Sequence, residues 1–139
     1  MSFDIIVTAY AHGEVALFDR EIVMENFRAF IAKRGLEGWR LTSPDGPTAG
    51  SLDIDDDAEV GGFAVSRPPL GPAFLAALHE VLRRTPTVLF WPGRGPQPRC
   101  CVARAEVISE LPPDMVESLG VPTVVGSGEE IGRCIGLSA

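Results

Sequence analysis

Carboxylates crowd one short stretch of this chain, at Asp53, Asp55, Asp56, Asp57 and Glu59. Alternate aspartates at Asp53, Asp55 and Asp57 match the spacing with which a calcium loop begins. Such a loop next needs a turn glycine and, at its twelfth position, a bidentate glutamate. Ala58 and Ala64 stand there instead, which excludes an EF-hand. The default reading is a solvated acidic loop. Two others stand beside it: a weak surface Ca²⁺ or Mg²⁺ site, and a set of carboxylates presented to a basic partner.

The remaining candidates for chemistry stop short of a complete motif. Gly126-Ser127-Gly128 follows a β-branched run and opens a helical one, as a phosphate-binding turn does. The dinucleotide fingerprint would place a third glycine at 131, where Ile131 stands, and Glu129 and Glu130 would repel a phosphate. A capped helix is the better reading, with Ser127 and Glu130 at capping-box spacing. Gly93-Arg94-Gly95 runs into Pro96 and is a loop. His79-Glu80 begins like a zincin helix, but Arg83 occupies the place of the second histidine. His12 falls in a turn. No GxSxG elbow is present, and a triad built on either histidine has no sequence signal behind it. Cys100 and Cys101 are neighbours in an extended run, so their side chains point to opposite faces, which does not suit shared zinc. Cys134 adds too few ligands, and the cysteines read as small buried hydrophobes. Trp39 and Trp91 read as core residues. Arg67, Trp91 and Arg94 flank the ends of two extended runs, and would line a pocket if those ends share an edge.

Composition narrows the function. The chain has 139 residues, of which 45% are apolar and 22% charged, the profile of one folded domain over residues 1–139. Its formal charge of −7 disfavours nucleic acid and anionic membrane as partners, because both would be repelled. No run reaches the length of a membrane span. The N-terminal stretch carries Asp4 within its apolar run and has no basic region, unlike a secretory signal. Three cysteines, two of them adjacent, are not a secreted disulfide framework and point to a reducing cytoplasm.

The elements that must position these residues centre on the stretch from Gly61 to Gly93, which reads as strand, helix, strand. Its helix opens at Pro72, where a missing N–H costs nothing, and carries a stripe of Leu75, Leu78 and Leu82 flanked by Phe74, Ala77 and Val81. It stops before Thr85-Pro86, and residues 87–91 form the next strand. Upstream, residues 3–10 read as a buried strand, and residues 14–17 as a short strand or the approach to a helix. That helix is expected over residues 19–34, capped by Asp19, stapled by Phe18 and Val23, and closed by Lys33, Arg34 and Gly35. Residues 38–42 read as a strand. Residues 43–59, rich in Pro, Gly, Ser and Asp, read as a loop with at most a short strand near 52–54. Residues 60–66 are a strand. Downstream come a turn-rich loop at 92–98, a strand over 99–109 in a hairpin across it, and a short helix at 113–119 ended by Gly120. A weak edge strand at 121–125 and a short last helix at 127–135 follow.

These elements define an α+β protein with a mixed or antiparallel sheet and two main helices. Their order matches the ferredoxin-like βαββαβ pattern followed by a C-terminal extension. The leading functional expectation is a small acidic protein that acts by binding another protein, a basic one or a second copy of itself, as immunity proteins and antitoxins do. Its contact residues would be Asp53, Asp55, Asp56, Asp57 and Glu59. The rivals are a small-ligand protein or enzyme with a pocket at Arg67, Trp91 and Arg94, and a domain that self-associates through the strand at 121–125. No cofactor and no metal is expected.

Overall fold

A computed structural model describes residues 4–35, 38–43, 46–93 and 97–138. The chain begins with β1 (Asp4–Ala11), β2 (Glu14–Val15), β3 (Phe18–Asp19) and α1 (Arg20–Phe27). After a 3₁₀ turn come β4 (Ile31–Gly35), β5 (Gly38–Ser43), β6 (Gly46–Asp53), β7 (Glu59–Val60) and β8 (Gly62–Ser66). The second half is α2 (Pro72–Arg84), β9 (Thr87–Phe90), β10 (Cys100–Val102), α3 (Pro113–Leu119), β11 (Thr123–Val124) and α4 (Gly128–Ser138). The class is α+β, as expected. None of the helices among the described residues is long and apolar enough to cross a membrane.

Among the described residues the main sheet runs β11-β10-β9-β1-β8-β6-β5-β4, with β2 added to β1. It is mixed: β10 and β11 pair parallel, and the other neighbours antiparallel. The sequence order contains more strands than the βαββαβ expectation. Both β4 and β6 flank β5, so β5 reaches β8 only through β6.

One face of the sheet is packed by helices. Ile5, Val7 and Ala9 of β1, Phe63 and Val65 of β8, Leu52 of β6 and Leu89 of β9 are buried in one cluster with α1, α2 and α4. The alternation that puts every second residue on this face is the period-2 geometry of a strand. An aromatic group ties the layers together. Phe27 stacks on Phe74 at 5.1 Å and meets Phe63 edge-on at 5.7 Å, while Phe30 meets Phe74 edge-on at 5.5 Å. Helix α4 lies close on α2 because Gly128 has no side chain. A Cβ there would stand 2.5 Å from the Leu75 carbonyl carbon and 2.6 Å from the Ala76 nitrogen.

The opposite face is covered over only part of its width. Val88, Cys100 and Val102 pack with Val107 and Leu111 in a second cluster, which Tyr10, Phe90, Met115 and Leu119 complete. Met115 and Leu119 come from α3, and Val107 and Leu111 from the 3₁₀ segment Ala105–Glu110 and the residue that ends it. Among the described residues this cover lies over β9, β10 and the Tyr10 end of β1 and does not extend across β8 and β6.

Several expectations need correction. The helix expected over residues 19–34 ends at Phe27, passes through the 3₁₀ turn Arg28–Phe30, and gives way to β4. The tighter turn takes Phe30 into the core. Ile31 then pairs with Leu41, and the ladder to β5 outweighs the helical pattern of the sequence. Its cap is as read: Asp19 accepts the Glu21 N–H at 2.9 Å. The supposed loop at 43–59 contains the eight-residue β6. Its turn-forming composition is overridden because it fills the space between β5 and β8. Gly50 lets its backbone pass against the Ser66 carbonyl, 2.5 Å from where a Cβ would sit. The strand expected over 99–109 is β10 alone, since Ala103-Arg104 turns the chain into a 3₁₀ segment. The last helix runs to Ser138 and, at eleven residues, is longer than α1, so the helical layer has three members rather than two. Half of its expected capping box forms: Glu130 donates its N–H to Ser127 Oγ at 3.2 Å, but its carboxylate accepts the N–H of Gly126, one residue before the cap.

Candidate functional site

The half of the outer sheet face that no described residue packs over includes β1, β8 and β6. Register fixes which side chains meet there. Ile6 lies opposite Ala64 and Thr8 opposite Gly62 across β1 and β8, and Asp53 lies opposite Ala64 across β6 and β8. Residues directly opposite share a face, so Asp53, Ala64 and Ile6 form one row. Thr8 and Gly62 form the next. Val15 of β2, which pairs beside Tyr10, overhangs the same face. These residues, with Ile54, Asp55, Gly61 and the backbone of Val7 and Phe63, line a groove of about 290 Å³ open to solvent along one side.

The floor is small and the rim is not. Gly62 and Ala64 leave the sheet surface low, while Ile6 is 36% exposed and Val15 62% exposed. Asp53 and Asp55 stand at the β6 end of the groove. A floor of Gly62 and Ala64 is thus bounded on the β6 side by two carboxylates, with Thr8 on the β1 side in the row of Gly62. The row beyond it is polar: Arg40, Ser51, Ser66 and Asp4 follow one another across β5, β6, β8 and β1. One oxygen of Asp4 is sheltered there with no hydrogen-bond partner.

The acidic segment is held in place from behind. Arg20, at the start of α1, donates its Nε–H to the Asp55 carbonyl at 2.7 Å, and its Nη2 lies 3.7 Å from the Asp56 carboxylate. Its own backbone N–H donates to the Ala58 carbonyl at 3.0 Å. Two-residue pairing of Phe18 with Val60 and Asp19 with Glu59 closes the segment at its far end. The five carboxylates singled out by the sequence therefore divide. Asp53 and Asp55 line the groove, whereas Asp56, Asp57 and Glu59 are exposed but outside its lining. Among the described residues no group of three or more His, Cys, Asp or Glu is placed to hold a metal ion.

The second set of candidates is dispersed in environment. The ends of β8 and β9 do leave the sheet at one edge, since Ser66 and Phe90 flank the start of β1 opposite Asp4 and Ile6. Arg67 is exposed there, with a left-handed backbone at φ 51°. Trp91 is 1% exposed and belongs to the core on the helical side. Arg94 lies outside the described residues. The cysteines stand apart from the groove: Cys100 and Cys101 are buried and point into different clusters, as their adjacency requires. Burial pushes the Cys100 thiol up to about 11 and the Cys101 thiol well above its ordinary range. His12 is on an exposed turn, its Nδ1 3.5 Å from the Glu110 carboxylate.

Ile6, Thr8, Val15, Gly62 and Ala64 had no signal of their own in the sequence. The available clue was alternation: a strand whose odd residues are core must present Ile6 and Thr8 to the other face.

Set against protein-family models, curated proteins and solved structures, the chain matches none of them.

Proposed function

We propose that this protein works by binding another protein, one that carries positive charge, on the uncovered half of its outer sheet face. The observation that carries the reading is the groove on that face, where Ile6, Val15 and Ala64 stand beside Asp53 and Asp55. Exposed apolar area at the centre of a sheet is surface that association can bury, at roughly 25 cal/mol per Å². The carboxylates beside it, on a chain of net charge −7, select a cationic partner and speed its approach. An immunity- or antitoxin-like role, in which a small acidic protein blocks a basic one, is the concrete form of this reading.

The test is capture from the source organism's lysate by tagged wild type and by a D55N/D56N/D57N variant. A stoichiometric partner that wild type retains, that about 0.5 M salt releases and that the variant retains poorly is the expected result. Equal retention by both proteins rejects electrostatic binding through this segment.

Self-association is a second reading. It is favoured by Val124, exposed in the edge strand β11, and by Val121, exposed just before it. A concentration-dependent dimer in light scattering that V124K abolishes would support it. A monomer at all concentrations would remove it.

A further inference from the structure

We infer that the groove over β1, β8 and β6 receives one long cationic side chain of the protein partner, an arginine or a lysine. Its aliphatic stem lies on Ile6, Ala64 and Val15, and its head reaches Asp53 and Asp55. The inference rests on the proposed binding function and names the group that fills its site.

Size points first to a side chain. At about 290 Å³ the groove is at the small end of ligand cavities, which run from about 300 to 1,000 Å³. It is also open along one side, so a free small molecule would be left half in water. A side chain enters with its own backbone as the lid. Chemistry narrows the choice further. An apolar side chain long enough to cover the floor would also cover Asp53 and Asp55, and desolvating carboxylates without a partner is costly. An acidic one would be repelled. Lysine and arginine alone combine a stem that packs on apolar surface with a head that donates to carboxylates. Arg40 sits on the same face at its β5 side, in the row of Ser51 and Ser66. It discourages a second cation there and leaves the Asp53–Asp55 end as the cationic position.

The floor is shaped to accept the stem. Gly62 and Ala64 hold it low between Ile6 and the β6 rim, and Val15 rises over it from β2. Larger residues at 62 or 64 would fill the space the stem needs.

The experiment is an amide chemical-shift titration of the full chain with defined probes. They are N-acetyl-arginine methylamide, its lysine counterpart, the norleucine analogue that keeps the stem but not the charge, and guanidinium ion alone. The expected result is saturable shifts at Ile6, Thr8, Asp53, Asp55, Gly62 and Ala64 with the arginine or lysine probe. Binding of norleucine or guanidinium alone should be at least about tenfold weaker, since each lacks one of the two contacts. D53N/D55N should weaken the cationic probes about tenfold or more. A64L, which fills the floor and keeps both carboxylates, should abolish binding. V15K, at an already exposed position, should do the same by supplying the cation from within, which guards against a folding defect in A64L. Shifts spread over all exposed carboxylates, equal binding of guanidinium alone, or unchanged binding by A64L and V15K overturn the inference. Absence of shifts with every probe overturns it too. If the captured partner is held equally by wild type, A64L and V15K yet lost by D55N/D56N/D57N, the groove assignment fails and only binding of a basic partner through the acidic segment stands.

Discussion

Arg20 holds the Asp55 carbonyl at 2.7 Å while its guanidinium faces the Asp56 carboxylate, so the first residue of α1 anchors the acidic segment. The Arg20 side chain is only 19% exposed. A hydrogen bond from a charged donor in a partly buried site contributes about 1.5–3 kcal/mol. R20Q should therefore lower stability by about 1–3 kcal/mol in urea unfolding. R28Q removes the exposed pair with Glu21 and should change stability by no more than about 0.5 kcal/mol. Equal effects of the two substitutions would remove Arg20 as an anchor.

The close crossing of α4 on α2 gives a second contrast. Gly128 and Gly136 both lie in α4, yet a Cβ at 128 would meet the Leu75 and Ala76 backbone, and one at 136 would meet nothing within 4 Å. Backbone cannot step aside as a flexible side chain can. G128A should cost about 1–3 kcal/mol, the usual range for overpacking. G136A should be neutral or stabilise by up to about 1 kcal/mol, because alanine is the better helix former. Denaturant midpoints of the two variants decide it, and a tolerated G128A would mean that the helices can separate freely.

These contrasts also mark where the sequence could and could not be read. Helix α2 was legible because its signals agree: Pro72 at its start, a leucine stripe, Arg83 and Arg84 at its end. The same holds for the caps of α1 and α4, where the chemistry is local. Strand β6 was not legible. Its residues favour turns, and it is extended only because ladders hold it on both sides. The helical pattern of the sequence overruns α1 for the matching reason, since Ile31 fits a helical face until β5 is there to pair with it. The acidic segment was legible as composition. The groove was not, because the neighbourhood of Asp53, Ala64 and Ile6 depends on register between strands far apart in sequence.

The buried thiols make stability depend on pH in the alkaline range. Burial raises Cys100 from an ordinary 9.0 to about 11, with Arg99 opposing, and burial likewise raises Cys101 well above its ordinary range. Between those values the unfolded chain has released protons that the folded chain keeps. Stability contributed by the neutral thiols is therefore complete below pH 9 and is lost as pH rises through about 11. Urea midpoints should fall across this window, and the fall should be smaller in C100A. A slope that C100A leaves unchanged would assign the dependence to other groups.

Thr85 and Thr87 carry the last test, one of hydrogen-bond direction. Both are buried at the junction of α2 and β9. Thr85 donates its hydroxyl to the Val81 carbonyl at 2.7 Å, one of the last carbonyls of the helix, which have no partner within it. The two hydroxyl oxygens lie 2.8 Å apart. A hydroxyl has one proton to give, so Thr87 must donate to Thr85. Replacing Thr87 by valine leaves Thr85 bonded to Val81, and T87V should cost less than about 1.5 kcal/mol. Replacing Thr85 strands both the Val81 carbonyl and the Thr87 hydroxyl in the core, and T85V should cost about 1–3 kcal/mol. The order of the two urea midpoints is the check: T85V should unfold first, and the reverse order would reverse the donor assignment.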